Sequence, residues 1–289
     1  MNCPTDSKPS LLQRLLHFAP VRFGLLYVIL SYLYLAGYFY RQDVAKGAWE
    51  GLWATILSGI AMLGMYGLVV HFCERRQVTE LALKPAPREL GLGLLMGFGL
   101  YTLCMVVLML TGNYRIQGVH DWHVLISGLS IAVATGVFEE LLFRAGVFRL
   151  AEEWFGTWWA LAVSSVVFGF IHMDNEAANL QGVLSISIWA GALLVGCYLL
   201  TRRMWLGIGL HAAWNYTQGS VYSGIVSGNA PPNGFFKSTL QGPDWLTGGS
   251  FGVEGSAVPF VLCGSVAIWI IVAAKRRGHI LPPPWKRKG

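Results

Sequence analysis

The sequence predicts an all-α membrane protein, a polytopic bundle of about eight transmembrane helices, on three observations. Of 289 residues, 54% are hydrophobic and 12% charged, and the mean hydropathy is +0.52, whereas soluble domains carry about 25% charged residues. The apolar residues come in runs, the longest reaching the roughly 20 residues that a helix needs to cross a bilayer core of about 30 Å. The runs are continuous, not alternating, which argues against an outer-membrane barrel, because barrel strands keep one face polar.

Spans are expected near 23–40, 48–72, 91–111, 122–148, 157–172, 182–200, 204–218 and 256–274. The fifth and seventh are short, so six crossings plus two partly penetrating helices is the alternative. The first span follows a segment holding Lys8, Arg14 and Arg22 without a small-residue cleavage site, and reads as an anchor, not a cleaved signal. Sixteen of the twenty-one Lys and Arg fall on one side of this topology, among them Arg22, Arg75, Arg76, Arg149, Arg202, Arg203 and Lys275. Four fall on the other, Arg41, Lys46, Arg115 and Lys237, and Arg144 lies within a span. Lys and Arg in short loops stay on the cytoplasmic side, so both ends are expected there, in a multi-pass protein of a bacterial cell membrane. The expected organisation is a cytoplasmic segment 1–22, a transmembrane unit 23–274 and a basic tail 275–289.

The stretch 219–255 carries Gly224, Gly228, Gly234, Gly242, Gly248, Gly249, Gly252 and Gly255 with Pro231, Pro232 and Pro243, a composition that breaks helices. It reads as a long external loop whose Phe235, Phe236, Trp245 and Phe251 touch the membrane face. The Pro-rich basic tail carrying Lys286, Arg287 and Lys288 is expected against anionic lipid head groups. Cys3, Cys73, Cys104, Cys197 and Cys263 have no disulfide or zinc-knuckle spacing and read as small hydrophobes. The basic residues sit between spans and form no basic face on a soluble domain, which argues against nucleic acid as a partner.

The chemistry lies inside the spans. Glu139 and Glu140 sit side by side in the fourth, where a charge costs about 2.5–3.5 kcal/mol on insertion scales. Glu140 and Arg144 are four apart and share a helix face, so an ion pair can offset that cost. Glu139 is turned about 100° away and left free. Phe168 and His172 end the fifth span, and His211 and Asn215, also four apart, lie in the seventh. A carboxylate with an imidazole can deprotonate water, while a second histidine and an amide can donate to the oxyanion formed when water attacks an amide carbonyl. Such a set hydrolyses peptide bonds without a covalent intermediate.

Glu139-Glu140-x-x-x-Arg144, Phe168-x-x-x-His172 and His211-x-x-x-Asn215, in that order in successive apolar helices, resemble the CPBP family of CAAX prenyl endopeptidases and bacteriocin-processing enzymes. The resemblance covers about 120–220. It implies an intramembrane glutamate-type endopeptidase in which Glu139 and His172 activate water and His211 with Asn215 stabilises the oxyanion, with Glu140, Arg144 and Phe168 supporting. No cofactor is expected. Zinc held by Glu139, His172 and His211 is the alternative, since two histidines and a glutamate form a catalytic zinc set, although the His-Glu-x-x-His helix motif is absent. The expected partners are the lipid bilayer and a membrane-associated peptide or protein substrate. Competing readings are a structural ion pair with core histidines in a non-catalytic scaffold or immunity protein, and a proton-coupled transporter, which would call for repeat symmetry and paired broken helices. Depth is a tension: Glu139 and His211 lie about 15 Å and 12 Å from the cytoplasmic side, and His172 over 20 Å. A tilted fifth helix, a later helix start or a deep cavity would each reconcile them.

Overall fold

The structure is a computed structural model describing residues 18–229 and 233–286. Cys3, Lys8, Arg14, Pro231, Pro232, Arg287 and Lys288 lie outside the described residues.

All eight expected helical segments are present. Six are long and apolar enough to cross a membrane: Ala19–Val44, Ala48–Glu74, Ala86–Leu110, Val124–Phe155, Leu180–Thr201 and Ala257–Arg276. In chain order the α-helices are α1 (Ala19–Phe39), α2 (Ala48–Val69), α3 (Ala86–Leu110), α4 (Val124–Glu140), α5 (Arg149–Phe155), α6 (Thr157–Phe170), α7 (Leu180–Thr201), α8 (Trp205–Asn215), α9 (Asp244–Thr247) and α10 (Ala257–Arg276). The two short spans are α6 and α8, of 14 and 11 residues, about 21 and 17 Å long at 1.5 Å per residue. Between α4 and α5 the chain keeps turning through a π-helical stretch, Leu141–Phe148, and α8 passes into another, Tyr216–Val221.

Small residues let the inner helices approach backbone to backbone, which substitutes for a hydrophobic driving force inside lipid. A Cβ on Gly93 of α3 would fall 2.3 Å from the Leu206 carbonyl of α8, and one on Gly97 would fall 2.2 Å from that of Leu210. On its other side α8 meets Gly136 of α4, where a Cβ would lie 3.0 Å from the Ala212 amide nitrogen. Leu206 through Trp214 are consequently all buried. The most enclosed long helix is α7, against which α6, α8 and α10 all pack.

At one end of the bundle the charges pair with one another. Arg149 binds Glu74, Arg76 binds Glu74 and Glu80, and Arg22 reaches Glu153 at 2.8 Å. The Tyr66 hydroxyl donates to Glu80, Arg202 binds Glu152, and Arg203 binds Glu89. The described part of the tail folds back on α6, where Thr157 and Leu281 exchange two hydrogen bonds of 2.8 and 3.0 Å. Lipid head groups are therefore not its only neighbours.

The opposite end corrects two expectations. A two-stranded antiparallel sheet joins β1 (Tyr114–Val119) to β2 (Phe236–Leu240), with Tyr114 opposite Leu240 and Val119 opposite Phe236. The described residues of 219–255 form a folded cap containing β2 and α9 rather than an irregular loop. Phe251 is buried rather than set against lipid, seated over Gly182 where a Cβ would fall 2.1 Å from its ring. Trp245 is 61% exposed.

Candidate active site

Four helices bring the site together. Glu139 and Glu140 end α4, Phe168 lies in the last turn of α6 with His172 just beyond it, and His211 and Asn215 lie in the second half of α8. Glu139, His172, His211 and Asn215 all line one cavity of ≈ 490 Å³, with Trp189, Leu193 and Leu194 of α7 as its back wall. α6 begins at Thr157 as expected, so a later start does not explain the depth of His172.

Glu140 is the buried anchor, its side chain 1% exposed. Its Oε1 lies 3.1 Å from Arg144 Nη1, the expected i,i+4 ion pair, and 2.9 Å from His211 Nδ1. A carboxylate accepts, so His211 Nδ1–H donates and Nε2 is the ring's other face to the cavity. That Nε2 points at Glu139, 3.7 Å from Oε2 and beyond direct hydrogen-bond range. Glu139 is 16% exposed, and its Oε2 has no hydrogen-bond partner among the described residues. An unpaired carboxylate oxygen at this depth is costly unless it meets water or a ligand.

His172 Nδ1 lies 2.7 Å from the Phe168 carbonyl oxygen, which only accepts, so that ring too carries its proton on Nδ1 and presents Nε2 as an acceptor. Asn215 Nδ2 donates to Thr135 Oγ1 at 3.3 Å, which ties the amide to α4. Phe168 forms the wall shared by the two histidines: ring centroids lie 5.1 Å from His172 and 6.0 Å from His211. The Arg144 guanidinium stacks over the same ring at 4.4 Å. Phe168 thus shields a fully buried cation from the cavity as well as packing.

Among the described residues, no three His, Cys, Asp or Glu side chains form a group that could hold a metal ion. Glu139, His172 and His211 line the same cavity.

Other lining residues lie outside the motif-bearing stretch. Tyr34, Tyr38 and Arg41 come from α1 and the turn after it, and Ser227, Asn229 and Glu254 come from the cap. Glu254 fixes that cap from within. Its carboxylate accepts from Trp214 Nε1 at 2.9 Å and from the Ser227 amide and hydroxyl, each at 2.7 Å. Its backbone carbonyl accepts from Ser185 and from Trp189 Nε1. The sequence signals Glu254 only as an acid among glycines just before the last span. Trp189 and Trp214 are cap anchors as well as packing aromatics.

No curated protein and no solved structure matches the chain. Residues 121–217, which contain Glu139, Glu140, Arg144, Phe168, His172, His211 and Asn215, match the family described as type II CAAX prenyl endopeptidase Rce1-like, and this match supports a CAAX-type intramembrane protease.

Proposed function

We propose that the protein is an intramembrane endopeptidase that hydrolyses a peptide bond of a membrane-associated protein or peptide with water activated by Glu139 and His172. The observation that carries this reading is the convergence of Glu139, His172, His211 and Asn215 on one cavity within the stretch that matches the family. Glu139 takes a proton from water as the water oxygen bonds to the scissile carbonyl carbon. The Nε2 of His172 accepts a hydrogen bond from the same water and aligns it. His211 and Asn215 face the oxyanion, and a protonated His211 or the Asn215 amide donates to it as charge develops. Collapse of the tetrahedral species breaks the C–N bond, and the proton held by Glu139 passes to the leaving amine. Glu140 and Arg144 hold the His211 ring in place.

The test compares membrane peptidomes of cells carrying the intact protein and Glu139→Gln at equal abundance. General-base loss costs about 10²–10⁴ in rate, so the products are expected to vanish with Glu139→Gln. An unchanged peptidome favours a non-catalytic scaffold or immunity protein, and a changed proton flux without lost products favours a transporter.

A further inference from the structure

The cavity is one-ended. In α1, α6, α8 and the continuous helix Val124–Phe155 that contains α4, the residues that line it belong to the half farther from the paired-charge end. They begin at Tyr34 in α1 and Leu210 in α8, run from Gly128 to Glu139 in α4, and start only at Phe168 in α6. Below that level the bundle is closed by Glu140, Arg144 and Leu206, all buried. The rim is polar: Gln42 and Asn229 are exposed, and Asn175 and Ser227 are joined by a 2.6 Å hydrogen bond from the Asn175 side chain.

Charge distinguishes the two ends. Among the described residues the closed end carries twelve Lys and Arg, and the rim end carries four, Arg41, Lys46, Arg115 and Lys237. Lys and Arg in short loops fix orientation while Asp and Glu contribute little, so the ion pairs formed by Glu74, Glu80 and Glu89 do not cancel the bias. We infer that the closed, Arg-rich end is cytoplasmic and that the cavity opens on the extracytoplasmic face, so its substrate is a peptide segment presented from outside the cell membrane. This rests on the endopeptidase reading for the word substrate, but not for the direction of opening. An amide and hydroxyl rim suits an extended backbone, whose N–H and C=O groups it can pair as the segment descends towards Glu139.

Single cysteines test the direction without any assay of cleavage. In a chain with Cys3 and Cys73 replaced by serine, the other cysteines Cys104, Cys197 and Cys263 are buried. Gln42→Cys and Asn229→Cys mark the rim, and Leu83→Cys, at an uncharged site 76% exposed, marks the closed end without altering the charge bias. With a membrane-impermeant maleimide on intact cells, the rim cysteines are expected to label fully, with no gain on permeabilisation. Leu83→Cys is expected to gain severalfold. The reverse pattern, or equal labelling of both ends in intact cells, overturns the inference. A lost difference in the Glu139→Gln peptidome would instead sink the endopeptidase reading while leaving the labelling result standing.

Discussion

Glu140 Oε1 lies between His211 Nδ1, at 2.9 Å, and Arg144 Nη1, at 3.1 Å, in a part of the bundle where neither acid nor base meets solvent. One buried carboxylate therefore neutralises a buried cation and sets which nitrogen of His211 faces Glu139.

Glu140→Ala removes that counter-charge and leaves Arg144 stacked on Phe168 with no carboxylate contact. Breaking one side of a buried pair costs about 3–5 kcal/mol, so the variant is expected to melt far below the parent protein in detergent. Glu140→Gln keeps an acceptor for His211 and is expected to fold, with reduced cleavage. Thermal unfolding of both variants beside peptide release from the second separates support from direct chemistry.

Glu254→Ala leaves Trp214 Nε1 and the Ser227 amide and hydroxyl without their acceptor. Each buried donor left unpaired costs about 1–3 kcal/mol, and the expected result is a loosened cap over a bundle that still folds. Limited proteolysis within 219–255 should quicken severalfold while unfolding of the helical part shifts little. Unchanged proteolysis would mean that the cap is held elsewhere.

Glu80 lies between two spans, outside the membrane-crossing segments. Burial opposes its ionisation, but hydrogen bonds from Arg76 and Tyr66 outweigh burial and hold its carboxyl down from 4.5 to about 2. A carboxyl with a lowered folded-state value stabilises the fold above its unfolded value and loses that contribution as pH falls towards the folded one. The contribution is thus complete above pH 4.5 and fades between 4.5 and about 2. Melting temperature followed downward from pH 6 should fall more steeply for the parent than for Glu80→Gln, the two curves converging at the acid end.

Protein purified without added metal is expected to lack stoichiometric zinc and to keep its cleavage activity in chelator. Metal analysis together with activity before and after chelation checks this, and tight zinc with chelator-sensitive cleavage would move Glu139, His172 and His211 into a ligand role.

The parts of the site legible in the sequence are those set by local helix geometry. Spacing by four put Glu140 beside Arg144 and His211 on one face with Asn215, because the helix repeat fixes such neighbours whatever the surroundings. Glu254, Ser227, Tyr34 and Arg41 were not legible, since each reaches the cavity through packing between segments far apart in the chain. Composition misjudged the cap for the same reason. The nine glycines of 219–255 read as irregular exposed chain, yet Gly252, at φ +92, lies where a Cβ would meet the Ile225 carbonyl at 2.3 Å, a close approach inside a folded element. Phe251 follows from that folding: an aromatic ring in a glycine-rich stretch is buried once Gly182 makes room for it. The short lengths of α6 and α8 were visible in the apolar runs, but the glycine contacts that seat α8 between α3 and α4 were not.

The π-helical stretch Leu141–Phe148 directly follows the two glutamates. Such widened turns are usually one residue inserted into an ordinary helix and often sit at functional sites. Excising a single residue there would reset the phase of everything upstream by about 100°, swinging Glu139 out of the cavity and Glu140 away from His211 while leaving the membrane-crossing length almost unchanged. In this fold, the aim of Glu139 and the membrane-crossing length are therefore separable properties of one helix.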